Sequence, residues 1–238
     1  MSAARRVLVT RPLGQAEATA ERLRAAGHTA LIEPMLEIAD VPVRLGSLDA
    51  YQAILFTSGN AVRAFARQCS ATDLPVYAVG EATAETARTA GFERVRNAGG
   101  NAVDLAALAR RALQPTAGRL LHPTGDKIAT DIAALLGGEG FAVDRIEVYH
   151  GKPRTAFSPE VRGAIKSGEI DDVLLFSART AATFAEVLWA SGLSGRADAM
   201  RALCLSDAVA KAADAVPWAG VAVAAHSDQD SLLALLDC

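Results

Sequence analysis

Aromatic side chains are only 5% of the sequence, and there is no basic excess, the formal net charge being −3. A chain without a cationic surplus is a poor match for the phosphates of nucleic acid or for an anionic membrane. Neither is expected as a principal partner. Three cysteines, Cys69, Cys204 and Cys238, are odd in number, far apart and form no CxxC pair. They argue against a disulfide framework or a zinc site and fit a reducing cytoplasm. No apolar run approaches the roughly 18 residues a membrane span needs. Met1 to Arg6 leads directly into a strand pattern rather than a signal peptide, so a cytoplasmic protein is expected.

The familiar catalytic signatures are missing too. No Walker-type phosphate loop occurs, and no GxGxxG follows the first strand; the glycine cluster at Gly137 comes after a helix, the wrong place for a dinucleotide loop. A GxSxG elbow is absent, which disfavours a hydrolase triad. The four histidines, His28, His122, His150 and His226, lack metal-ligand spacing and read as surface or strand-end residues. Glu33 and Glu37 read as solvated strand-end charges rather than paired catalysts.

What the chain does have is an ordinary globular balance, 51% hydrophobic and 21% charged, over 238 residues. That length suits one large domain or two of about 100 residues, each with its own core. Abundant alanine with few aromatics implies slim, closely packed helices.

Short apolar runs alternate with polar turns and helical patterns. Val7–Thr10 reads as a strand, Gln15–Ala26 as a helix stopped by Gly27, and Thr29–Glu33 as a second strand. The same unit recurs later. Leu120-Leu121 reads as a strand and His122–Lys127 as a turn. Ile128–Leu136 reads as a helix, closed by Gly137 and Gly138, with Ile128, Ile132, Leu135 and Leu136 on one face; Ala142–Tyr149 is the next strand. The intervening segments also match: ILFTSGNAV from Ile54 with LLFSARTAA from Leu174, and Val76–Phe92 with Ala202–Val216. Asn97–Leu108 pairs in the same way with Ala224–Leu236. The order is A, B, A′, B′, which predicts an α/β protein with two similar domains of parallel sheet flanked by helices.

Leu36–Pro42 and Gly151–Pro159 carry prolines and interrupt the rhythm, so they read as joints. Ser158-Pro159-Glu160 then opens a helix with a hydroxyl cap and a first-turn proline. Two joints imply two crossings, with A folding beside B′ and B beside A′. The boundaries expected are 1–37 plus 153–238 for the first domain and 40–150 for the second, with a ligand cleft between them.

Ligands of open α/β sheets bind beyond the carboxyl ends of the strands. The turns there are rich in hydroxyls, glycine and amides: Thr10-Arg11, Thr57-Ser58, Gly80 with Thr83, Gly99-Gly100-Asn101, Thr124-Gly125-Asp126-Lys127, Ser177-Ala178-Arg179, Ser206-Asp207 and Ser227-Asp228. Any one of these residues is first a helix cap. As a set, with Arg11, Lys127 and Arg179, they point to an anion-binding cleft of free N–H groups and helix N-termini. Tyr149 closes the last strand of A′ beside a joint. A tyrosine there can donate a proton or hydrogen bond, or simply pack the joint. Tyr51 and Tyr77 read as ordinary strand residues.

VLVTRP at Val7, FTSGNAV at Phe56, VYAVGEATA at Val76, the Pro123-Thr124-Gly125-Asp126 turn and IEVYHG at Ile146 occur in order along the chain. In that combination the chain resembles the uroporphyrinogen-III synthase family. The resemblance implies two flavodoxin-like α/β domains joined by a two-stranded ladder. It implies cyclisation of hydroxymethylbilane to uroporphyrinogen III, with loss of water and inversion of ring D through an azafulvene and a spiro intermediate. No metal or organic cofactor is implied, and the substrate is a small linear tetrapyrrole bearing eight carboxylates. Hydroxymethylbilane synthase is the partner implied, by substrate channelling. Tyr149 matches the family's cleft tyrosine and would be the acid that helps water leave, while Thr83 would orient substrate. The other binding residues expected are Thr10, Arg11, Thr57, Ser58, Gly80, Asn101, Gly125, Ser177 and Ser206. One turn departs from the family: Ser206-Asp207-Ala208-Val209 stands where many members carry glycine then threonine. A two-lobed anion- or tetrapyrrole-binding module without catalysis is the alternative that would use the same turns without needing Tyr149.

Overall fold

The structure is a computed structural model that describes residues 4–69, 73–127 and 130–237. Ile128 and Cys238 lie outside the described residues. The first half runs β1 (Arg6–Val9), α1 (Leu13–Ala25), β2 (Thr29–Ile32), β3 (Leu36–Asp40), β4 (Tyr51–Phe56), α2 (Gly59–Ala66), β5 (Val76–Ala78), α3 (Glu81–Thr89), β6 (Val95–Asn97) and α4 (Ala102–Ala112). The second half runs β7 (Arg119–Gly125), α5 (Ile132–Gly137), β8 (Val143–Pro153), α6 (Pro159–Ser167), β9 (Asp172–Leu175), α7 (Ala178–Ala190), β10 (Arg201–Cys204), α8 (Asp207–Ala213), β11 (Gly220–Val223) and α9 (Gln229–Ala234).

The chain divides into two compact units, Met1–Glu37 with Lys152–Cys238, and Ile38–Gly151. The first unit holds a five-stranded sheet in the order β11-β10-β9-β1-β2, every adjacent pair parallel. Numbered along that unit alone, the order is 2-1-3-4-5, the doubly wound flavodoxin-like arrangement. The second unit holds the order β3-β8-β7-β4-β5-β6. With β3 set aside, its strands repeat the first sheet: β7 and β8 stand where β1 and β2 stand, and β4, β5 and β6 stand where β9, β10 and β11 do.

Short apolar runs form the central strands β1, β4, β9 and β10 because both faces of each sheet are covered there, whereas β3, β6 and β8 carry charged and exposed residues. Alternation then sorts the apolar side chains. In the first unit Leu8 joins Phe157, Val161, Phe184 and Leu188 on one face. Val7 and Val9 join Ala16, Ala20, Leu23 and Leu232 on the other. In the second unit Ile54 and Phe56 pack with Phe65 and Phe92, whose rings meet edge-on at 5.8 Å from Phe56. Ala53 and Leu55 pack with Tyr77, Leu105, Leu120 and Ile132 on the opposite face. Most phenylalanines are thus spent inside, each buried ring contributing about 1.5–3 kcal/mol, while Trp189 stays exposed.

Five local readings change. β7 does not give way to a turn at His122 but continues to Gly125, because β8 pairs with it as far as Gly125↔Tyr149. β8 does not end at Tyr149 but runs through Pro153, and the joint at Leu36 is itself strand β3, adjacent to β8 in the sheet. α5 begins only at Ile132, where Asp131 caps it by accepting from Ala133 N and Ala134 N. Glu33 is not solvated: it is 2% exposed, and its carboxylate accepts from both the backbone N–H and the hydroxyl of Ser158, with the Arg154 guanidinium 3.6 Å away. Glu37 is exposed as expected, but it lies within β3 rather than at a strand end. Gly27 ends the helical turn after α1 with φ 88°, and Ser158 caps α6 ahead of Pro159. Among the described residues no helix is long and apolar enough to cross a membrane.

Candidate functional site

In the second unit the carboxyl ends of β7 and β4 lie side by side, and this is where the direction of the connections reverses. The register of β7 and β8 shifts between Thr124 and Gly125: Thr124 opposes Glu147, but Gly125 opposes Tyr149. One extra residue in β8 is a bulge, a device that re-aims a side chain at a strand end. Its consequence is that Val148 and Tyr149, which alternation would send to opposite faces, both pack toward the Phe56 core. The Tyr149 ring then lies against Gly125. A Cβ built on Gly125 would sit 2.5 Å from Tyr149 Cζ and 2.9 Å from its hydroxyl oxygen. Glycine is therefore required by close approach rather than by backbone angle.

Tyr149 Oη is 3.4 Å from Ser58 Oγ, and either can be the donor. Ser58 also accepts from Ala61 N, capping α2. Its neighbour Thr57 is half-buried, with Oγ1 3.3 Å from His122 Nε2. His122 corrects the surface reading of the histidines: it is 2% exposed, inside β7. Burial first, and the Arg145 cation second, lower its pKa to about 4, with Asp131 pulling the other way. The ring is neutral at neutral pH. His28 is buried as well, its Nδ1 accepting from Arg5 N, whereas His150 and His226 are exposed. Tyr149, Gly125, Ser58, Thr57 and His122 thus form one continuous group.

Gly80 and Thr83 begin α3 at the end of the next strand, β5. Gly80 is the N-cap with no side chain to offer, and Thr83 is 7% exposed. One strand further on, Asn101 caps α4 through a reciprocal capping box with Asp104. Its side chain is already committed to Val103 N and Asp104 N. Tyr77 and Tyr51 are strand residues, Tyr51 donating to Asp144.

In the first unit Thr10, Arg11, Ser177 and Ser206 stand at the ends of β1, β9 and β10. Thr10 is fully buried and its hydroxyl donates to the Leu174 carbonyl at 2.6 Å. The Arg11 guanidinium stacks over Phe176 at 4.1 Å and donates to Gln15, Thr19 and Gln229, tying α1 to α9. Ser177 caps α7 by accepting from Thr180 N and lies 2.8 Å from the Thr180 hydroxyl. Ser206 occupies the N-cap of α8 yet makes no side-chain cap hydrogen bond, and Asp207 after it is exposed.

Sequence reading missed three features of this site: the bulge, the burial of His122 and the packing need at Gly125. The His-Pro-Thr-Gly run reads locally as a turn, and only the pairing with β8 makes it strand. Among the described residues no group of three or more histidine, cysteine, aspartate or glutamate side chains is arranged to hold a metal ion.

Compared with known proteins, the chain matches the family model described as uroporphyrinogen-III synthase HemD over residues 17–234. No curated protein matches it in sequence. Among solved structures it resembles a uroporphyrinogen-III synthetase from Helicobacter pylori, with a TM-score of 0.65 and 18% identity over 97% of each chain. It also resembles a mutant uroporphyrinogen III synthase from the extremely thermophilic bacterium Thermus thermophilus, with a TM-score of 0.57 and 21% identity over 98% of this chain and 96% of the other. Both likenesses speak to the fold.

Proposed function

The chain belongs to the uroporphyrinogen-III synthase family, an enzyme family of tetrapyrrole biosynthesis, and from that premise we propose how this molecule carries out the reaction. The substrate is linear hydroxymethylbilane. Tyr149 donates its phenolic proton to the hydroxymethyl oxygen, which leaves as water and generates an azafulvene cation. The substituted carbon of ring D attacks that carbon, forming a spiro intermediate. Fragmentation and reclosure with ring D inverted release a ring proton, which restores the phenol, and the products are uroporphyrinogen III and water.

The observation that carries this reading is the bulge in β8, which lays Tyr149 against Gly125 with its hydroxyl 3.4 Å from Ser58. A strand need not break its register to pack a joint; a bulge beside a glycine aims a hydroxyl. The hydroxyl-bearing turns of each unit offer groups that suit carboxylates. Thr57, Ser58, Gly80, Thr83, Asn101 and Gly125 serve in one unit, and Thr10, Arg11, Ser177 and Ser206 in the other. Because Thr10, Arg11, Ser177 and Asn101 already use their side chains internally, these four serve chiefly by shaping turns that present backbone N–H groups. Thr57, Thr83 and Ser206 offer hydroxyls. The bilane closes unaided to the wrong isomer, so holding a folded substrate shape is the larger part of catalysis.

We read the enzyme as a cytoplasmic monomer that receives its unstable substrate from hydroxymethylbilane synthase. The scattered cysteines and the absence of a long exposed apolar stripe in the sequence support that reading. The experiment is a coupled assay: hydroxymethylbilane is generated in situ, the protein is added, and the oxidised products are separated as isomers I and III. Predominantly isomer III is expected. Isomer I alone, from folded protein, would overturn the catalytic reading.

A further inference from the structure

His122 is a buried, titratable side chain that the reaction described above does not use. Its ring comes from the middle of β7, and three elements face it. Just beyond β4, Thr57 offers Oγ1 at 3.3 Å from Nε2. From β8, Arg145 is the direct register partner of His122 and its cation opposes protonation. From the N-cap of α5, Asp131 acts in the opposite sense. Thr57 itself is half-buried at the strand end, next to the serine that contacts Tyr149.

A hydroxyl is a donor and an acceptor at once, and a freely rotating one is a poor partner for a carboxylate, which only accepts. Tying down one side of the hydroxyl decides what its other side does. We propose that His122 is a positioning residue for substrate binding, its imidazole holding the Thr57 hydroxyl so that the hydroxyl proton points to a carboxylate of the tetrapyrrole. In this arrangement Nε2–H donates to Thr57 Oγ1, and Thr57 donates outward. A buried imidazole that stays neutral does this without placing a charge behind the site. The inference rests on the synthase reading for its ligand, an octacarboxylate, but not for the His122–Thr57 coupling itself.

The test uses the full chain and uroporphyrin III, the oxidised octacarboxylate product, as an equilibrium probe titrated by fluorescence. Four variants are compared: His122→Phe, Thr57→Val, the double variant, and His122→Gln, which keeps a side-chain N–H donor. Each single loss should weaken the dissociation constant about fivefold, the scale of one hydrogen bond. The double variant should be no weaker than either single one, and His122→Gln should recover most of the loss. In the synthase assay the same variants should raise KM with little change in kcat. Wild-type affinity in His122→Phe would overturn the proposal, as would penalties that multiply in the double variant, for His122 would then act independently of Thr57. If His122→Phe does not fold, His122→Met takes its place in the cycle. Failure of the wild type to produce isomer III would sink the enzymatic reading while leaving the coupling on uroporphyrin to be read separately.

Discussion

Two residues of the second unit depend on one another more than any sequence motif reveals. Gly125 and Tyr149 are close in space because a bulge shifts β8 by one residue, and the ring occupies the volume where any Cβ on Gly125 would go. Tyr149→Phe removes the proton donor alone, so kcat for isomer III should fall by about 100-fold, the low end of general-acid effects. KM and thermal stability should hardly move. Turnover should survive, because shape control does not need the hydroxyl; an unchanged kcat would show that Tyr149 merely packs. Gly125→Ala should behave differently, displacing the ring and costing about 1–3 kcal/mol as an overpacked site. Its activity should be at least as low as that of Tyr149→Phe, and in a Tyr149→Ala background the stability penalty should largely vanish. Thermal melts of the four proteins check this. His122 adds a pH signature. Its folded pKa of about 4 lies below the ordinary 6.5, so the unfolded chain binds the proton more readily. The stability is fully present above pH about 6.5 and declines as the pH falls toward 4, by about 3 kcal/mol in all. Urea titrations at pH 7 and 4.5 should therefore show wild type losing more than His122→Phe, and parallel losses would exclude His122 as the cause.

At the scale of elements, the hydroxyl-rich turns divide by the work their side chains already do. Ser58, Asn101 and Ser177 accept from the first-turn N–H groups of α2, α4 and α7, whereas Ser206 at the start of α8 makes no such bond. Ser177→Ala should then cost about 1 kcal/mol, the usual value of an N-cap, while Ser206→Ala should leave the melting temperature nearly unchanged. A raised KM in Ser206→Ala, measured beside its melt, would report contact with substrate; a clear loss of stability would contradict the uncapped geometry. The sequence displayed these elements well where signals are local. Gly27, Ser158-Pro159 and the apolar runs at Val7, Ile54 and Leu174 mark ends and cores by their own chemistry. It failed where the outcome depends on a distant strand. His122-Pro123-Thr124-Gly125 has the composition of a turn, yet β8 recruits it as strand. Glu33 has the composition of a solvated end, yet Ser158 and Arg154, more than a hundred positions away, bury and satisfy its carboxylate.

For the whole molecule, the repeated A, B, A′, B′ pattern becomes two sheets whose five shared strand positions correspond once β3 is set aside, and each unit's hydrophobic clusters are built from its own residues. That self-sufficiency has a thermodynamic consequence, because a unit with a closed core folds without its neighbour. A fragment of residues 36–153 keeps β3 and β8 whole and should fold alone with cooperative thermal unfolding. The complementary deletion is the stronger test. Arg154 N donates to Met35 O at 2.9 Å, so the two points where the chain leaves and re-enters the first unit are already hydrogen-bonded neighbours. A turn of about four residues, within the usual range for such connections, can close that gap. The first unit so joined keeps the 2-1-3-4-5 sheet and both of its cores, together with the Glu33–Ser158 bonds that pin the re-entry segment. It should give native-like far-ultraviolet circular dichroism and a single cooperative melt. A non-cooperative melt with binding of a hydrophobic dye, the mark of a loosely packed state, would mean that the first core needs the second unit to close. Glu33→Gln in the joined protein should lower its melting temperature, because the buried site would exchange a carboxylate accepting from two Ser158 donors and facing Arg154 for an amide that satisfies them less well.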